Sequence, residues 1–217
     1  MHTLIISGGT IDTDFALDLL KKEKYDHIIG VDGALKFCKE QNIVPTRIVG
    51  DFDTLDPEIL TWYQTHTQIE IRQFNPVKDA TDTQIAIELA MELGSRKITL
   101  VGGTGTRLDH VLGNIQTLYL PFVKGIDCRI VDAHNRIRLV SGELHLKMTE
   151  QWGKYVSLIP FTTDVEGVDL IGFKYPLEKF SFTVLGTGSR GVSNEIAEEE
   201  AVIRIEKGIM ILVESKD

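Results

Sequence analysis

The stretch VGDFDT, residues 49–54, places the carboxylates of Asp51 and Asp53 one residue apart, directly behind a short apolar run. In a β-strand, side chains at i and i+2 point to the same side, so the two charges are expected to lie close together. Neighbouring like charges disfavour each other's ionised form, which raises the pKa of both groups unless a positive charge compensates. A divalent cation with oxygen ligands is the usual compensation. The stretch therefore predicts a metal site, and the alternative is a solvated acidic turn.

Other polar loops follow the remaining predicted strands in the first part of the chain. They are residues 7–10 (SGGT), 31–34 (VDGA), 75–82 (NPVKDATD) and 102–110 (GGTGTRLDH). In open α/β sheets, ligands bind beyond the carboxyl ends of the strands, where these loops would meet. The concentration of Gly and Asp at one sheet edge therefore indicates a binding site.

Two more aspartates extend the candidate metal site. Asp79 and Asp82 converge on Asp51 and Asp53 if their strands are adjacent in the sheet. Mg²⁺ commonly takes carboxylates together with phosphate oxygens and water, so this set fits a metal–nucleotide complex. For Asp82 the alternative is a helix cap beside Thr81.

Glycine-rich stretches and two cations supply candidate phosphate contacts. The glycines within residues 8–9 and 102–105 let backbone N–H groups approach an anion closely, with helix N-termini behind them. Neither stretch matches the P-loop or the dinucleotide fingerprint, so each is also consistent with a tight turn. Lys78 and Arg107 lie in these loops as candidate phosphate ligands, Arg107 in bidentate fashion, or as solvated surface charges.

Three other polar side chains have both a functional and a structural interpretation. Asp32 precedes Gly33 and fits either a ligand or a turn residue. Asp109 fits either a ligand or a favourable charge at a helix N-terminus. His110 is a candidate general base, but a single histidine in the first turn of a helix is more often structural. No Ser-His-Asp or Cys-His constellation and no zinc-type spacing accompanies it.

The elements that must position these residues alternate between strand and helix. Strands are predicted at residues 3–7, 27–31, 46–49, 69–73, 97–101 and 129–132, and helices at residues 15–22, 34–40, 56–65, 81–93 and 108–119. The pair Asp56-Pro57 is typical of an N-cap followed by the first helical residue. Repeated βα units imply a mostly parallel sheet with helices on both faces.

The pattern changes after about residue 133. Short strands are predicted at residues 137–140, 144–148, 155–160, 168–171, 181–185, 201–206 and 209–214, with Lys207-Gly208 as a hairpin turn. Such strands with glycine-bearing turns are typical of a sandwich or barrel. We therefore expect an α/β domain over residues 1–133 and an all-β sandwich-like or barrel-like domain over residues 134–217.

Composition narrows the class of protein. The formal net charge is −9, which argues against a nucleic-acid-binding role because such proteins usually carry a basic face. No apolar run is long enough for a transmembrane helix, and the N-terminus lacks the basic region of a signal peptide. Cys38 and Cys128 make no disulfide framework, and we expect both to be small buried residues of a cytoplasmic protein.

Four stretches in this order together resemble thiamine pyrophosphokinase in its bacterial form. They are VDGA (31–34), GDFDT (50–54), KDATDT (78–83) and GGTGTRLDH (102–110), and GSRGVSNE (188–195) extends the resemblance through the C-terminal part. The resemblance implies an α/β ATP-binding catalytic domain, a β-sandwich domain for thiamine binding and dimerisation, and a homodimer with the active site between subunits. It also implies Mg²⁺-dependent, direct in-line transfer of the pyrophosphoryl group of ATP to the hydroxyethyl oxygen of thiamine. The products would be thiamine diphosphate and AMP.

The resemblance further assigns roles to individual residues. Asp51, Asp53 and Asp82 would hold Mg²⁺ on the ATP phosphates and act in catalysis together with Arg107. The nucleotide side would consist of Asp32, Gly33, Lys78, Asp79, Thr81, Gly103 and Thr104. Thiamine would be bound by Asp109, Tyr175, Ser193 and Asn194, the last two from the partner subunit.

Two of these assignments have a physical argument beside the resemblance. Tyr175 falls roughly where some family members place a tryptophan that stacks on thiamine, and an aromatic face suits a cationic thiazolium. The alternative for Tyr175 is a core residue. In-line phosphoryl chemistry relies on positioning and charge neutralisation and needs no covalent nucleophile. Among the aspartates, we favour Asp82 as the general base.

Three rival functions share parts of this pattern. Sugar-nucleotide glycosyltransferases also place D-x-D at a strand end, but they do not require residues 78–83 or 102–110. Phosphatases of the haloacid dehalogenase type use D-x-D-x-T, whereas here the threonine is Thr54, one residue too early. A non-enzymatic nucleotide sensor would keep the ATP-binding residues without turnover. Thiamine-dependent release of AMP separates the kinase from all three rivals.

Overall fold

The computed structural model describes residues 1–53, 55–73 and 80–217, so the predicted site residues Lys78 and Asp79 lie outside the described residues, as does Thr54. Tertiary contacts divide the chain into two compact units, Met1–Ala133 and His134–Asp217. Among the helices of the described residues, none is both long and apolar enough to cross a membrane. Cys38 and Cys128 are both buried and unpaired, as the sequence predicts.

The first unit is an α/β structure with a parallel sheet. Its strands are β1 (His2–Ile6), β2 (His27–Val31), β3 (Arg47–Gly50), β4 (Glu70–Gln73), β5 (Lys97–Val101) and β6 (Asp127–Val131). Its helices are α1 (Thr13–Lys22), α2 (Ala34–Glu40), α3 (Pro57–His66), α4 (Asp82–Glu92), α5 (Leu108–Thr117) and α6 (Tyr119–Phe122). The strand order is β6-β5-β1-β2-β3-β4, and every neighbouring pair is parallel. The predicted α/β architecture is therefore confirmed.

The strand order determines where a ligand can bind. The chain runs from β1 outward through β2, β3 and β4, and then returns to the other side of β1 to add β5 and β6. Such a reversal leaves a crevice beyond the carboxyl ends of the two strands that flank it. Here these strands are β1 and β5, and they are followed by the two glycine-rich loops at residues 8–10 and 102–105.

Short polar side chains begin several helices of this unit. Asp12 accepts a hydrogen bond from the Phe15 amide at 2.8 Å and caps α1. Asp56 accepts from the Glu58 amide at 2.9 Å, with Pro57 as the first residue of α3, as predicted. These bonds satisfy amides that have no partner within the helix, which explains why the helices begin where they do.

The second unit is β-rich. Its strands are β7 (Asn135–Lys147), β8 (Tyr155–Pro160), β9 (Asp164–Ile171), β10 (Leu177–Thr183), β11 (Asn194–Glu195) and β12 (Glu200–Ser215), all paired antiparallel. β12 pairs with β7 along its length, with β9 in its first half and with β8 in its second half. Side chains of β8, β9, β10 and β12 share one core, which includes Leu158, Val168, Phe182 and Leu212.

One local prediction in this unit is wrong. Lys207-Gly208 is not a hairpin turn, because β12 continues through it as one 16-residue strand. The register with β7 shifts between Ile205 and Met210, and Gly208 adopts a φ of +101°. The glycine therefore lies at an irregularity within a long strand, where β12 has more residues between its paired positions than β7 has. In the same way, the two strands predicted at 137–148 form the single strand β7, with Gly142 at a φ of +68°.

Candidate active site

A pocket of about 610 Å³ opens at the carboxyl edge of the parallel sheet. It is lined by the loops after β1, β2, β3 and β5 and by the first turns of α4 and α5. The predicted site residues that line it are Asp32, Asp51, Asp53, Thr81, Asp82, Gly103, Thr104 and Arg107. All of them belong to the first unit, so the sheet topology brings together loops that lie far apart in the sequence.

Three carboxylates form a cluster in this pocket. One carboxylate oxygen from each of Asp32, Asp51 and Asp53 lies within 4.8 Å of the other two. Asp32 and Asp51 are half-buried, and Asp53 is exposed. Asp32 enters the cluster because β2 and β3 are neighbours, with Val31 in register with Val49, and its amide donates to Val49 O at 2.9 Å. The sequence placed Asp32 on the nucleotide side of the site, whereas the structure joins it to the predicted metal ligands.

The backbone conformation at Phe52 explains how Asp51 and Asp53 come together. β3 ends at Gly50, so the two aspartates lie in a loop and not in a strand, and simple alternation along a strand is the wrong explanation. Phe52 has a φ of +61°, and its side chain is buried in a cluster with Leu35 and Ile48. A bulky residue in the left-handed region is strained, and burial of the ring holds it there. The Asp53 amide also donates to Asp51 Oδ1 at 3.3 Å.

Asp82 and Thr81 reach the pocket from the start of α4. Thr81 caps the helix by accepting from the Gln84 amide at 3.2 Å, and Asp82 is the first helical residue. Asp82 lines the pocket but does not belong to the three-carboxylate cluster. Its place in the first turn also favours its negative charge through the helix dipole. Gly33, a predicted residue of the nucleotide side, follows Asp32 at the start of α2. A Cβ atom at this position would have no other atom within 4 Å, so the space beside Gly33 is open.

The two glycine-rich loops are bonded to each other. The Gly9 amide donates to Gly102 O at 2.9 Å, and the Thr10 amide donates to Thr104 O at 2.8 Å. A side chain on Gly9 or Gly102 would collide with backbone atoms of the other loop, and Gly102 also has a φ of +72°. The Gly9 amide therefore already has a backbone partner, and the anion-binding role of the two stretches stays a prediction. The glycines are required for this close approach of two chain segments.

Arg107 and Asp109 form an ion pair at the start of α5. The guanidinium donates to both carboxylate oxygens, at 3.2 and 2.6 Å, and both side chains are exposed. Hydrogen bonding to Arg107 lowers the pKa of Asp109 to about 2. Arg107 and His110 both line the pocket. The sequence assigned Arg107 to phosphate and Asp109 to thiamine, and it did not predict that they pair with each other.

Buried hydrogen bonds that the sequence did not predict hold the loops of the pocket in place. Ser7 Oγ lies 2.7 Å from Thr83 Oγ1, which joins the loop after β1 to α4. Asn114 Nδ2 donates to Gly103 O at 2.8 Å. A polar residue at 114, between Val111 and Leu118 on one side of the helix, was the available sequence signal, because this spacing predicts an apolar row.

In the second unit, Asn194 bonds to the backbone of Tyr175. The Tyr175 amide donates to Asn194 Oδ1 at 3.0 Å, and Asn194 Nδ2 donates to Tyr175 O at 2.8 Å. The Tyr175 side chain is 59% exposed, so the alternative of a core residue is wrong. Ser193 is exposed, has a φ of +60°, and donates its amide to Ser157 Oγ at 2.9 Å. The predicted thiamine residues of this unit thus lie in two chain segments, which the bonds between Asn194 and Tyr175 join.

Comparison with known proteins identifies both parts of the chain. The family profile of the thiamin pyrophosphokinase catalytic domain matches residues 16–130, and that of the thiamin pyrophosphokinase vitamin B1 binding domain matches residues 142–210. The chain belongs to the thiamine pyrophosphokinase family. It therefore has thiamine pyrophosphokinase activity, and its C-terminal region is the thiamine-binding domain.

Individual relatives agree with this assignment. The chain is 34% identical over 195 residues to a thiamine pyrophosphokinase of Bacillus subtilis, which covers 87% of each chain. The crystal structure of thiamine pyrophosphokinase from Bacillus subtilis superposes with a TM-score of 0.86 at 30% identity and covers 100% of both chains. That of the Geobacillus thermodenitrificans protein gives the same TM-score and identity over 100% of this chain and 98% of its own. The predicted family, enzyme class and fold are confirmed.

Proposed function

We propose that this thiamine pyrophosphokinase uses ATP as the donor and the hydroxyethyl group of thiamine as the acceptor, in one direct in-line step. The thiamine oxygen attacks the β-phosphorus, a new O–P bond forms, and the bond from that phosphorus to AMP breaks. The hydroxyl proton passes to a carboxylate, for which we propose Asp82. The observation that carries this proposal is the Asp32, Asp51 and Asp53 cluster beside the bonded glycine loops in one pocket.

The carboxylate cluster fits a divalent cation. Three oxygens within 4.8 Å of one another supply hard, anionic ligands of the kind that Mg²⁺ prefers, and they repel one another without a cation. We propose that Asp51 and Asp53 hold Mg²⁺ together with Asp32, and that Asp82 completes the set from α4. When bound, Mg²⁺ neutralises charge on the phosphate oxygens as the bond to AMP breaks.

The loop after β5 and Arg107 provide the phosphate contacts in this proposal. Gly103 and Thr104 line the pocket, and their peptide groups are fixed by hydrogen bonds on the carbonyl side. Arg107 is paired with Asp109 and exposed, so its guanidinium can exchange that carboxylate for phosphate oxygens at little cost in desolvation. Asp109, released from Arg107, then offers its charge to the cationic thiazolium. Lys78 and Asp79 are proposed nucleotide ligands outside the described residues.

Thiamine binding in the second unit is assigned to Tyr175 and Ser193. The exposed Tyr175 ring is suited to stacking on a cationic heterocycle. Asn194 is 6% exposed and its amide oxygen and nitrogen are both bonded to the Tyr175 backbone. We therefore propose that Asn194 acts by holding Tyr175 and not by direct contact with thiamine. A homodimer with the active site between subunits and a cytoplasmic location complete the proposal.

Release of AMP from Mg-ATP, measured with and without thiamine, tests the reaction. The expected result is AMP that depends on thiamine, appears in equal amount with thiamine diphosphate, and disappears when EDTA removes the metal. Release of ADP or inorganic phosphate would refute pyrophosphoryl transfer. ATP binding without turnover would instead favour a nucleotide sensor. Light scattering of the purified protein tests the dimer separately.

A further inference from the structure

Three successive carbonyl groups in the loop after β5 each accept a hydrogen bond from outside the loop. Gly102 O and Thr104 O accept from the amides of Gly9 and Thr10, at 2.9 and 2.8 Å. Gly103 O, between them, accepts from Asn114 Nδ2 at 2.8 Å. The first and third bonds join two backbone segments, whereas the central one depends on a single side chain of α5.

The bond to Gly103 O determines the direction of the Thr104 amide. In a planar trans peptide the C=O and the following N–H point in opposite directions. Fixing Gly103 O toward Asn114 therefore fixes Thr104 N–H away from it. The Thr104 side chain is held as well, because Thr104 Oγ1 donates to Asp132 Oδ2 at 2.9 Å. The Gly103–Thr104 peptide is thus restrained by bonds on both of its residues.

Packing alone does not account for an asparagine at position 114. In α5, Asn114 is buried at 6% exposure, whereas Leu108 and Leu112 are 70% and 62% exposed. Burying an amide costs free energy unless it is hydrogen-bonded, and an aliphatic side chain would normally take the inner position of such a helix. Asn114 occupies this inner position with a hydrogen bond that an aliphatic residue could not make, and both Asn114 and its partner Gly103 line the pocket.

We propose that Asn114 is a positioning residue for the ATP phosphates. It fixes the Gly103–Thr104 peptide so that the Thr104 amide is oriented in advance toward the phosphate chain. This inference rests on the proposed function, in which Gly103 and Thr104 contact those phosphates. Fixed donors stabilise developing charge without a reorganisation cost, and small misplacements of such groups lower rates strongly.

Steady-state AMP release by Asn114→Ala and Asn114→Leu tests the inference. Asn114→Leu keeps about the size of the side chain and buries no charge, but it cannot donate to Gly103 O, so it provides a second variant if the cavity left by alanine unfolds the protein. Thr117→Ala is the matched control, because it removes a side-chain bond of the same helix that ends on the helix itself: Thr117 Oγ1 donates to Gly113 O at 2.9 Å. Melting temperatures and the KM for each substrate are measured for all four proteins.

We expect kcat/KM for ATP to fall about tenfold to a hundredfold in both Asn114 variants, while KM for thiamine changes less than about twofold. Direct titration with Mg-ATP in the absence of thiamine should show weaker binding than in the wild type. Thr117→Ala should retain wild-type values. An unchanged KM and kcat for ATP in a folded Asn114 variant would overturn the inference, as would a KM for thiamine that rises as much as the KM for ATP, or equal losses in Thr117→Ala. Failure of the proposed function is distinguishable, because the wild-type protein itself would then release no thiamine-dependent AMP.

Discussion

Asp51→Asn tests the carboxylate cluster through stability as well as activity. At a separation of 4.8 Å, two unit charges repel by about 0.9 kcal/mol in bulk water and by about 3.5 kcal/mol at an effective dielectric constant of about 20. The substitution removes two such repulsions, with Asp32 and with Asp53, and the side-chain amide oxygen that it introduces can still accept from the Asp53 amide. Because the site is half-buried and salt screens the charges, we expect the metal-free protein to gain about 1–2 kcal/mol.

The gain should appear as a higher melting temperature in EDTA. For a chain of this size, each 1 kcal/mol shifts the melting temperature by about 2–4 °C. In MgCl₂ and ATP, the wild-type protein should be stabilised further by ligand binding, whereas Asp51→Asn should lose most of this shift and its thiamine-dependent AMP release. Differential scanning calorimetry with and without metal, together with the AMP assay, measures all of these quantities.

A charge-matched control separates the cluster from a general charge effect. Asp18→Asn removes the same charge from the exposed face of α1, where Asp18 pairs with Lys22 at 2.7 Å. Exposed pairs contribute little, so its melting temperature should fall slightly or stay constant, and its metal response should be that of the wild type. If metal-free Asp51→Asn melts at a lower temperature than wild type and still responds to Mg²⁺, repulsion in the cluster is not the determining interaction and the metal assignment is wrong.

Three further predictions concern single residues. Tyr175→Ala should raise KM for thiamine without a change in KM for ATP or in melting temperature, because the ring is exposed. Tyr175→Phe keeps an aromatic ring and should preserve thiamine binding. The same KM for thiamine in both variants would refute the stacking role. Gly102→Ala should unfold or precipitate the protein, since a methyl group there collides with the loop after β1. Gly113→Ala in α5 is the contrasting change, because a methyl group there meets no atom within 4 Å and should stabilise the folded protein by about 0.5–1 kcal/mol. Thermal melts compare the two variants. The folded pKa of Asp109 is about 2, against an ordinary value of 3.8, so its ion pair should stabilise the protein fully above about pH 4 and lose this effect as the pH falls through the folded pKa. In Arg107→Ala, the pKa of the Asp109 carboxyl measured by NMR titration should rise. An unchanged midpoint would exclude Arg107 as the cause of the low pKa.

Local sequence patterns determined most of the secondary structure of the first unit. The Asp56-Pro57 pair predicted the start of α3, and the helix predicted from residue 81 begins at Asp82, with Thr81 and not Asp82 as its cap. These signals are local, because a cap is a bond between residues two or three apart and a periodic apolar face is read within one element. The parallel sheet also followed from the sequence, since repeated βα units have few alternative arrangements.

The location of the site was predictable for a related reason. Loops after parallel strands meet at one sheet edge whatever the order of the strands, so Asp51, Asp82 and Thr104 were expected to share a pocket, and they do. The motif order further predicted the family, which the comparisons confirm. The predicted thiamine and metal roles of individual residues stay predictions.

Tertiary structure alone decided the features that depend on partners distant in sequence. Asp32 joins the cluster because β2 and β3 are adjacent, and Gly103 O meets Asn114 because α5 packs against its loop. Lys207-Gly208 has the composition of a hairpin turn, but pairing with β7 on both sides of Gly208 keeps β12 in one strand. A sequence specifies the donors, charges and permissive glycines that a chain carries. Which of them meet is determined by long-range packing, whose free energy belongs to the assembled fold and to no single segment.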